Sequence, residues 1–239
     1  MNERIFNKHL TKQNHQIKHL AIIMDGNARW AKENKVAKAQ GHKKGAENAR
    51  DLLQAAMELN IPYLTLYSFS SENWQRPPAE VSVLINLLAF YLEREISAIN
   101  KNGIRLKIIG KLDKLSDKLQ KTIANAVKIT QHNEKMTLCV AFSYGSRAEI
   151  IDACNQIIKD QKHDITEEQF KNYLYDPQMP DVDLLIRTSG MQRISNFLLW
   201  QSAYAELYFT SEYWPDFKKD DLLLAIEDYS MRIRKFGGR

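Results

Sequence analysis

Short apolar runs alternate along the 239-residue chain with longer segments whose apolar residues recur every three or four positions. Leu20–Met24 has the length and β-rich makeup of a buried strand. Segments 63–69, 105–109, 136–142, 183–187 and 205–209 read the same way. Between them the period lengthens. Lys43 to Leu59 carries Ala46, Ala49, Leu52, Leu53, Ala56 and Leu59 at helical spacing, and Asn60-Ile61-Pro62 ends it. Pro77-Pro78 opens a helix that runs to Lys101. Its apolar surface is wide: Val81, Leu84, Ile85, Leu88, Tyr91, Leu92, Ile96 and Ile99, extended by Val83, Leu87 and Phe90. Further helices are predicted from Ala28, over 113–131, over 147–159, from the capping-box pattern Thr166-Glu167-Glu168-Gln169, and over 219–235. Short strands separated by helices predict an α/β fold: a single domain over residues 18–239, with a largely parallel central sheet covered by helices on both faces. Residues 1–17 are polar, rich in Lys and His, and lack a signal-peptide core, so they are expected to form a flexible arm.

Composition narrows the function classes. Hydrophobic content of 44% and charged content of 26% are ordinary for a globular domain. A net charge of +5 suits an acidic ligand, but the basic residues are scattered and form no nucleic-acid-binding signature, so no nucleic-acid partner is expected. Cys139 and Cys154 are the only cysteines, and both fall in apolar segments. Reduced thiols and a cytoplasmic location are expected. No charge-free run reaches transmembrane length.

Candidate chemistry gathers at strand ends. Asp25 closes the first strand and precedes Gly26-Asn27. In an open α/β sheet ligands bind at the carboxyl ends of strands, and a helix N-terminus beyond favours an anion. A carboxylate in such a place makes chemical sense if a divalent cation bridges it to the anion; alternatively, Asp25 caps the next helix. Lys38 with Gly41-His42-Lys43-Lys44-Gly45, read as lying just ahead of a helix start, suits a diphosphate or forms a solvated loop. The stretch from Phe69 to Pro77 holds Ser70, Asn73, Trp74 and Arg76; Ser70 and Asn73 could cap, and Trp74 could pack. Arg187-Thr188-Ser189-Gly190 followed by Arg193-Ile194-Ser195-Asn196 sets two guanidiniums and several hydroxyls around a glycine turn, donors matched to phosphate oxygens. Glu206 sits in the mostly apolar run 197–209, where a carboxylate needs a metal or an arginine. No P-loop, dinucleotide fingerprint or nucleophile elbow occurs. Asn27 occupies the place of the second Asp of a phosphoaspartyl phosphatase, which disfavours that chemistry.

In order, these segments resemble the cis-prenyltransferases, in particular the bacterial synthases of undecaprenyl diphosphate. The resemblance rests on 19–30, Gly-His-x-x-Gly at 41–45, 69–77, 187–190, 193–201 and 203–209, and it spans residue 18 to the C-terminus. It implies a homodimeric, Mg²⁺-dependent transferase that condenses isopentenyl diphosphate onto farnesyl diphosphate, with product released at the inner membrane face. Asp25 would bind Mg²⁺ and assist departure of the allylic diphosphate. Gly26, Asn27, Arg29, Trp30, Lys38 and His42 would cradle that diphosphate. Arg187, Arg193 and Ser195 would hold isopentenyl diphosphate. Ser70, Asn73, Trp74 and Arg76 would orient substrates, with Asn73 counted as catalytic. Glu206 would be a second metal-linked carboxylate near the dimer interface, and 234–238 a tail reaching the partner's site. The apolar helix after Pro78 and the strand 136–142 could line a product channel, although plain core packing accounts for most of those positions. Ala28, Lys38, Met191, Gln192 and the segment 143–147 depart from the family pattern, which touches affinity and rate more than reaction type.

Overall fold

The computed structural model describes residues 17–234. Six strands form one sheet in the order β3-β4-β2-β1-β5-β6, with every neighbouring pair parallel. They are β1 (His19–Ile23), β2 (Tyr63–Ser70), β3 (Ile104–Ile109), β4 (Met136–Tyr144), β5 (Leu184–Arg187) and β6 (Glu206–Phe209). Seven α-helices connect them: α1 (Asn27–Glu33), α2 (Lys38–Glu58), α3 (Pro78–Lys101), α4 (Asp117–Thr130), α5 (Ser146–Lys159), α6 (Glu167–Lys171) and α7 (Lys219–Met231). A 3₁₀ turn, Ser71–Gln75, follows β2 directly. The expected α/β architecture is what the chain adopts. Residues 1–16 of the expected arm and 235–238 of the expected tail lie outside the described residues, and Ile17 is already buried.

Side-chain alternation along each strand assigns the two faces. Leu20 and Ile22 join the larger core, with Leu52 of α2, Leu92 of α3, Ile123 of α4 and Ile226 of α7. Ala21 and Ile23 join the smaller one, with Met179, Val182, Phe197 and Leu198. β1 lies between β2 and β5, and the chain passes to β5 only after building the other side of the sheet. That reversal opens a crevice at the carboxyl ends of β2, β1 and β5, where α/β folds bind ligands.

Boundaries differ from the sequence reading in instructive places. Helix α2 begins at Lys38, not Lys43, so Gly41 to Gly45 lie within its first turns rather than in a loop ahead of it. Glycine inside a helix costs roughly 1 kcal/mol relative to alanine. Tertiary contact overrides that cost: a methyl group at Gly41 would overlap the Asn27 carbonyl oxygen, and one at Gly45 the Asn27 side-chain oxygen. The two glycines let α1 and α2 touch. Helix α4 starts at Asp117, where Ser116 caps it by accepting from the Leu119 N–H at 3.4 Å. Helix α7 ends at Met231, short of the expected Lys235.

Candidate active site

Asp25 leaves β1 at its carboxyl end, and Gly26 turns the chain with a left-handed φ of 111° into α1. No side chain caps α1; the Asp25 carboxylate is directed elsewhere. Its Oδ2 accepts from Arg187 Nη2 at 2.9 Å, and its Oδ1 lies 3.3 Å from Arg29 Nη2. Burial acts to raise the Asp25 pKa, but the Arg187 hydrogen bond and the charges of Arg187 and Arg29 outweigh it and hold the carboxyl below its usual range. Asp25 is therefore ionised at neutral pH.

Arg187 ends β5 one strand away, its Cα paired with that of Ile23. It is buried, and its Nη1 donates to Ser195 Oγ and to the Arg193 carbonyl, both at 2.6 Å. Its buried Nε has no partner. Arg29 donates to the Ser189 carbonyl at 2.9 Å and to the Ser189 hydroxyl. Thr188 Oγ1 donates to the Asp25 carbonyl oxygen at 2.6 Å, tying the tips of β1 and β5 together. Arg193 reaches only the Met191 sulfur, at 3.4 Å, and has no carboxylate within ion-pair distance among the described residues. Its charge is open to the cleft that it lines.

On the other side of the mouth, Glu80 in the first turn of α3 gathers two cations and an imidazole. Arg76 donates to it at 2.9 Å, and His42 Nε2 and Lys38 Nζ each lie 3.6 Å from its carboxylate. Burial lowers the His42 pKa, and the Glu80 charge only partly opposes this. Ser70 and Asn73 form a reciprocal capping box on the 3₁₀ turn, with Asn73 Oδ1 accepting from the Ser70 N–H at 3.1 Å. The capping alternative thus holds for both, yet both also line the cleft.

These groups surround the mouth of a cleft of about 1050 Å³, at the upper end of the roughly 300–1,000 Å³ usual for small-ligand pockets. Asp25, Gly26, Asn27, Arg29, His42, Ser70, Asn73, Arg76, Arg187, Arg193 and Ser195 all line it. Behind the mouth the walls turn apolar. Ala46, Ala49, Leu53 and Met57 of α2 face Leu84, Leu88, Tyr91 and Leu92 of α3, over Leu66, Leu106, Leu138 and Val140 of the sheet. The wide apolar surface of α3 is shared between two uses: Leu84, Leu88, Leu92 and Ile99 pack with the larger core and also border the cleft, and Leu87 and Tyr91 border the cleft.

Four expected residues stand apart. Trp30 and Lys38 do not border the cleft, although Lys38 reaches Glu80. Trp74 packs edge-on against Phe69 and donates to Ser143 Oγ at 2.9 Å, the packing role left open for it. Glu206 begins β6, level with Leu184, so within one chain it sits at the opposite end of the sheet from Asp25. Its partner is an arginine: Arg232 donates to it at 2.8 Å. Glu80 and Glu72 escaped the sequence reading. The i,i+4 pair Arg76…Glu80 across Pro77-Pro78 was the available signal for the first.

The crevice thus joins a cationic mouth to an apolar interior. A family model described as putative undecaprenyl diphosphate synthase matches residues 23–237, and the chain belongs to that family. An isoprenyl transferase of Rickettsia typhi is 59% identical over 93% of this chain and 99% of its own. One from Thermotoga maritima is 49% identical, over 92% and 96%. Among solved structures, a lavandulyl diphosphate synthase from Lavandula x intermedia in complex with dimethylallyl diphosphate superposes with a TM-score of 0.89 at 35% identity, covering 93% of this chain and 98% of that one. A probable undecaprenyl diphosphate synthase from Campylobacter jejuni gives 0.80 at 35% identity, covering 93% and 99%.

Proposed function

We propose that this prenyl transferase uses Mg²⁺ to condense successive isopentenyl diphosphate units in cis onto farnesyl diphosphate, yielding undecaprenyl diphosphate, the precursor of the bacterial cell-wall lipid carrier. The observation that carries this reading is the convergence of Asp25 with the Arg187–Ser195 clamp at one end of an apolar cleft. Arg187, Arg193 and Ser195 bind isopentenyl diphosphate. Arg29, His42, Arg76 and the first turn of α1 bind the allylic diphosphate. Condensation breaks the allylic C–O bond, whose electron pair leaves with diphosphate. A new C–C bond forms to the isopentenyl double bond, and one proton is lost, guided by Asn73 to a diphosphate oxygen. The fixed cations offset the growing negative charge without reorganising. The apolar bore excludes water that would quench a cationic chain end, and it accepts the lengthening product.

Asp25 suits a magnesium ion. Mg²⁺ is usually held by one or two carboxylates together with substrate phosphates rather than by an all-protein cage. The described residues contain no cluster of three or more His, Cys, Asp or Glu able to hold a metal, whereas the ionised Asp25 carboxylate stands at the cleft mouth beside the Arg187–Ser195 clamp. When bound, the cation would neutralise charge on the departing diphosphate.

A homodimer is part of the same reading. Tyr204, Leu207, Leu224, Met231 and Ile233 are exposed around the edge strand β6 and α7, and a second copy would cover them. Glu206 lies among them, which suits a role near that interface. No helix among the described residues is long and apolar enough to cross a membrane, so contact with a membrane during product release would be peripheral.

The test is incorporation of labelled isopentenyl diphosphate into farnesyl diphosphate, followed by mass analysis of the product. Expected are a fifty-five-carbon product, abolition of turnover by a chelator, and a loss of about 10²–10³-fold in Asp25→Ala, the size found when one fixed charge-stabilising group is removed. An unchanged rate in that variant overturns the role given to Asp25.

A further inference from the structure

The loop that carries Ser195 is strained. Ser195 and Asn196 are consecutive non-glycine residues in the left-handed region, at φ 48° and 63°, and Leu198 follows at 45°. Asparagine tolerates this region better than most residues, but such a conformation persists only where the surroundings over-determine it. Here the surroundings act through Asn196. Helix α5 starts from Gly145, which has no side chain with which to cap it. Asn196 supplies the cap from 49 residues away in the chain: its Oδ1 accepts from the Arg147 N–H at 2.9 Å, and its backbone oxygen accepts from the Ser146 N–H at 2.8 Å. The other half of its amide faces across the cleft mouth. Asn196 Nδ2 donates at 2.9 Å to Glu72 Oε1, on the 3₁₀ turn that carries Asn73 and follows Ser70.

We propose that Asn196 is a positioning residue, which sets the spacing between the Arg187–Ser195 clamp and the Ser70–Arg76 turn by bridging the first turn of α5 to Glu72. Both substrate-facing loops then take their reference from one rigid helix end. This rests on the proposed assignment of Ser195 to isopentenyl diphosphate and of the 70–76 turn to substrate orientation. The physical consequence is that the donor on Asn196, not merely its capping oxygen, is required. Losing it frees the turn while α5 stays capped.

Asn196→Asp separates the two roles. It keeps an acceptor for Arg147 and the tolerance of a left-handed φ, but it sets a carboxylate against Glu72. Expected is a rise of about 5-fold in KM for isopentenyl diphosphate, the scale of one hydrogen bond. Pairing it with Glu72→Gln restores a donor–acceptor pair with the roles exchanged and returns KM to within about 2-fold. Pairing it with Glu72→Ala preserves the same net charge without a donor and gives no rescue. Hydrogen exchange of the full chain supplies a readout independent of turnover. Asn196→Asp should accelerate exchange in 70–76 while leaving 145–149 protected, and Glu72→Gln should reverse this. Wild-type exchange in 70–76, or equal KM values for the two double variants, overturns the bridge whether or not the chain makes undecaprenyl diphosphate. Absence of incorporation by the wild-type chain counts against the function and not against the bridge, which the exchange pattern decides alone.

Discussion

Arg187 and Arg76 both present guanidiniums at the mouth of one cleft, yet their surroundings are opposite in kind. Arg187 is 5% exposed and engages a carboxylate, a hydroxyl and a carbonyl at 2.9 Å or less. Arg76 is exposed and shares a single carboxylate, Glu80, with His42 and Lys38, which stand off at 3.6 Å. The first cluster is assembled before any ligand arrives, because the chain itself supplies the acceptors of Arg187 from Asp25, just past β1, and from the 193–195 loop. The second is held by one anion that a diphosphate could replace. A fixed site suits a substrate that must enter in the same pose at every cycle. An exchangeable one suits an allylic diphosphate that is bound, broken and replaced.

If that contrast is real, the fixed cluster should tolerate the least change. Arg187→Lys keeps the positive charge but cannot reach Asp25, Ser195 and the Arg193 carbonyl together. Removing part of a buried, charge-assisted network costs about 3–5 kcal/mol. We expect kcat/KM for isopentenyl diphosphate to fall by about 10²-fold or more. Steady-state kinetics with both substrates varied checks this, and a loss under 10-fold would put Arg187 on the same footing as Arg76.

The exchangeable cluster predicts a gain instead. Glu80→Gln removes the resident anion while keeping a side chain that can accept from Arg76. Inorganic diphosphate should then bind about 3-fold more tightly, because a surface ion pair contributes roughly 0.2–1 kcal/mol and no longer competes. Calorimetric titration of inorganic diphosphate reads this directly. Weaker binding in the variant would make Glu80 an organiser of the cations rather than a placeholder for the ligand.

Much of the fixed cluster was legible in the chain, and less of the exchangeable one. Asp25, Arg187, Arg193 and Ser195 each follow a strand-like run, and strand ends in an α/β fold converge by topology. Once β1 and β5 are parallel neighbours their carboxyl ends share one edge of the sheet, and the observed register sets Ile23 level with Arg187. Glu80 sits at no strand end: an acid in the first turn of a helix reads as a favourable dipole contact, and only its i,i+4 spacing from Arg76 pointed further. The loop assignment for Gly41–Gly45 failed for a related reason. Local propensity opposes glycine in a helix, and only the close approach of α1, 14 or more residues earlier, reverses the balance. Glu206 shows the limit most clearly. A carboxylate in an apolar run signals a partner, but whether metal or arginine cannot be read without knowing that Arg232 returns past the start of β6.

The smallest expected effect discriminates the clusters most cleanly, because it depends on a group that only one of them contains. His42 is buried and its pKa is lowered, so it is neutral in the free protein at pH 7. A diphosphate arriving beside it favours the charged form. The complex then holds more protons than the free protein, and by linkage affinity must rise as pH falls. Asp25 contributes nothing over this interval, since its carboxyl is held below the usual range and stays ionised. KM for the allylic substrate should therefore drop by about 2-fold to 3-fold from pH 8 to pH 6 relative to KM for isopentenyl diphosphate. Both substrates carry a diphosphate, so the ratio cancels the ligand's own titration. His42→Asn should flatten the pH dependence of the ratio. A ratio independent of pH in the wild-type chain would mean that His42 does not face the allylic diphosphate, and that Arg76 and Glu80 form a structural pair rather than half of a binding site.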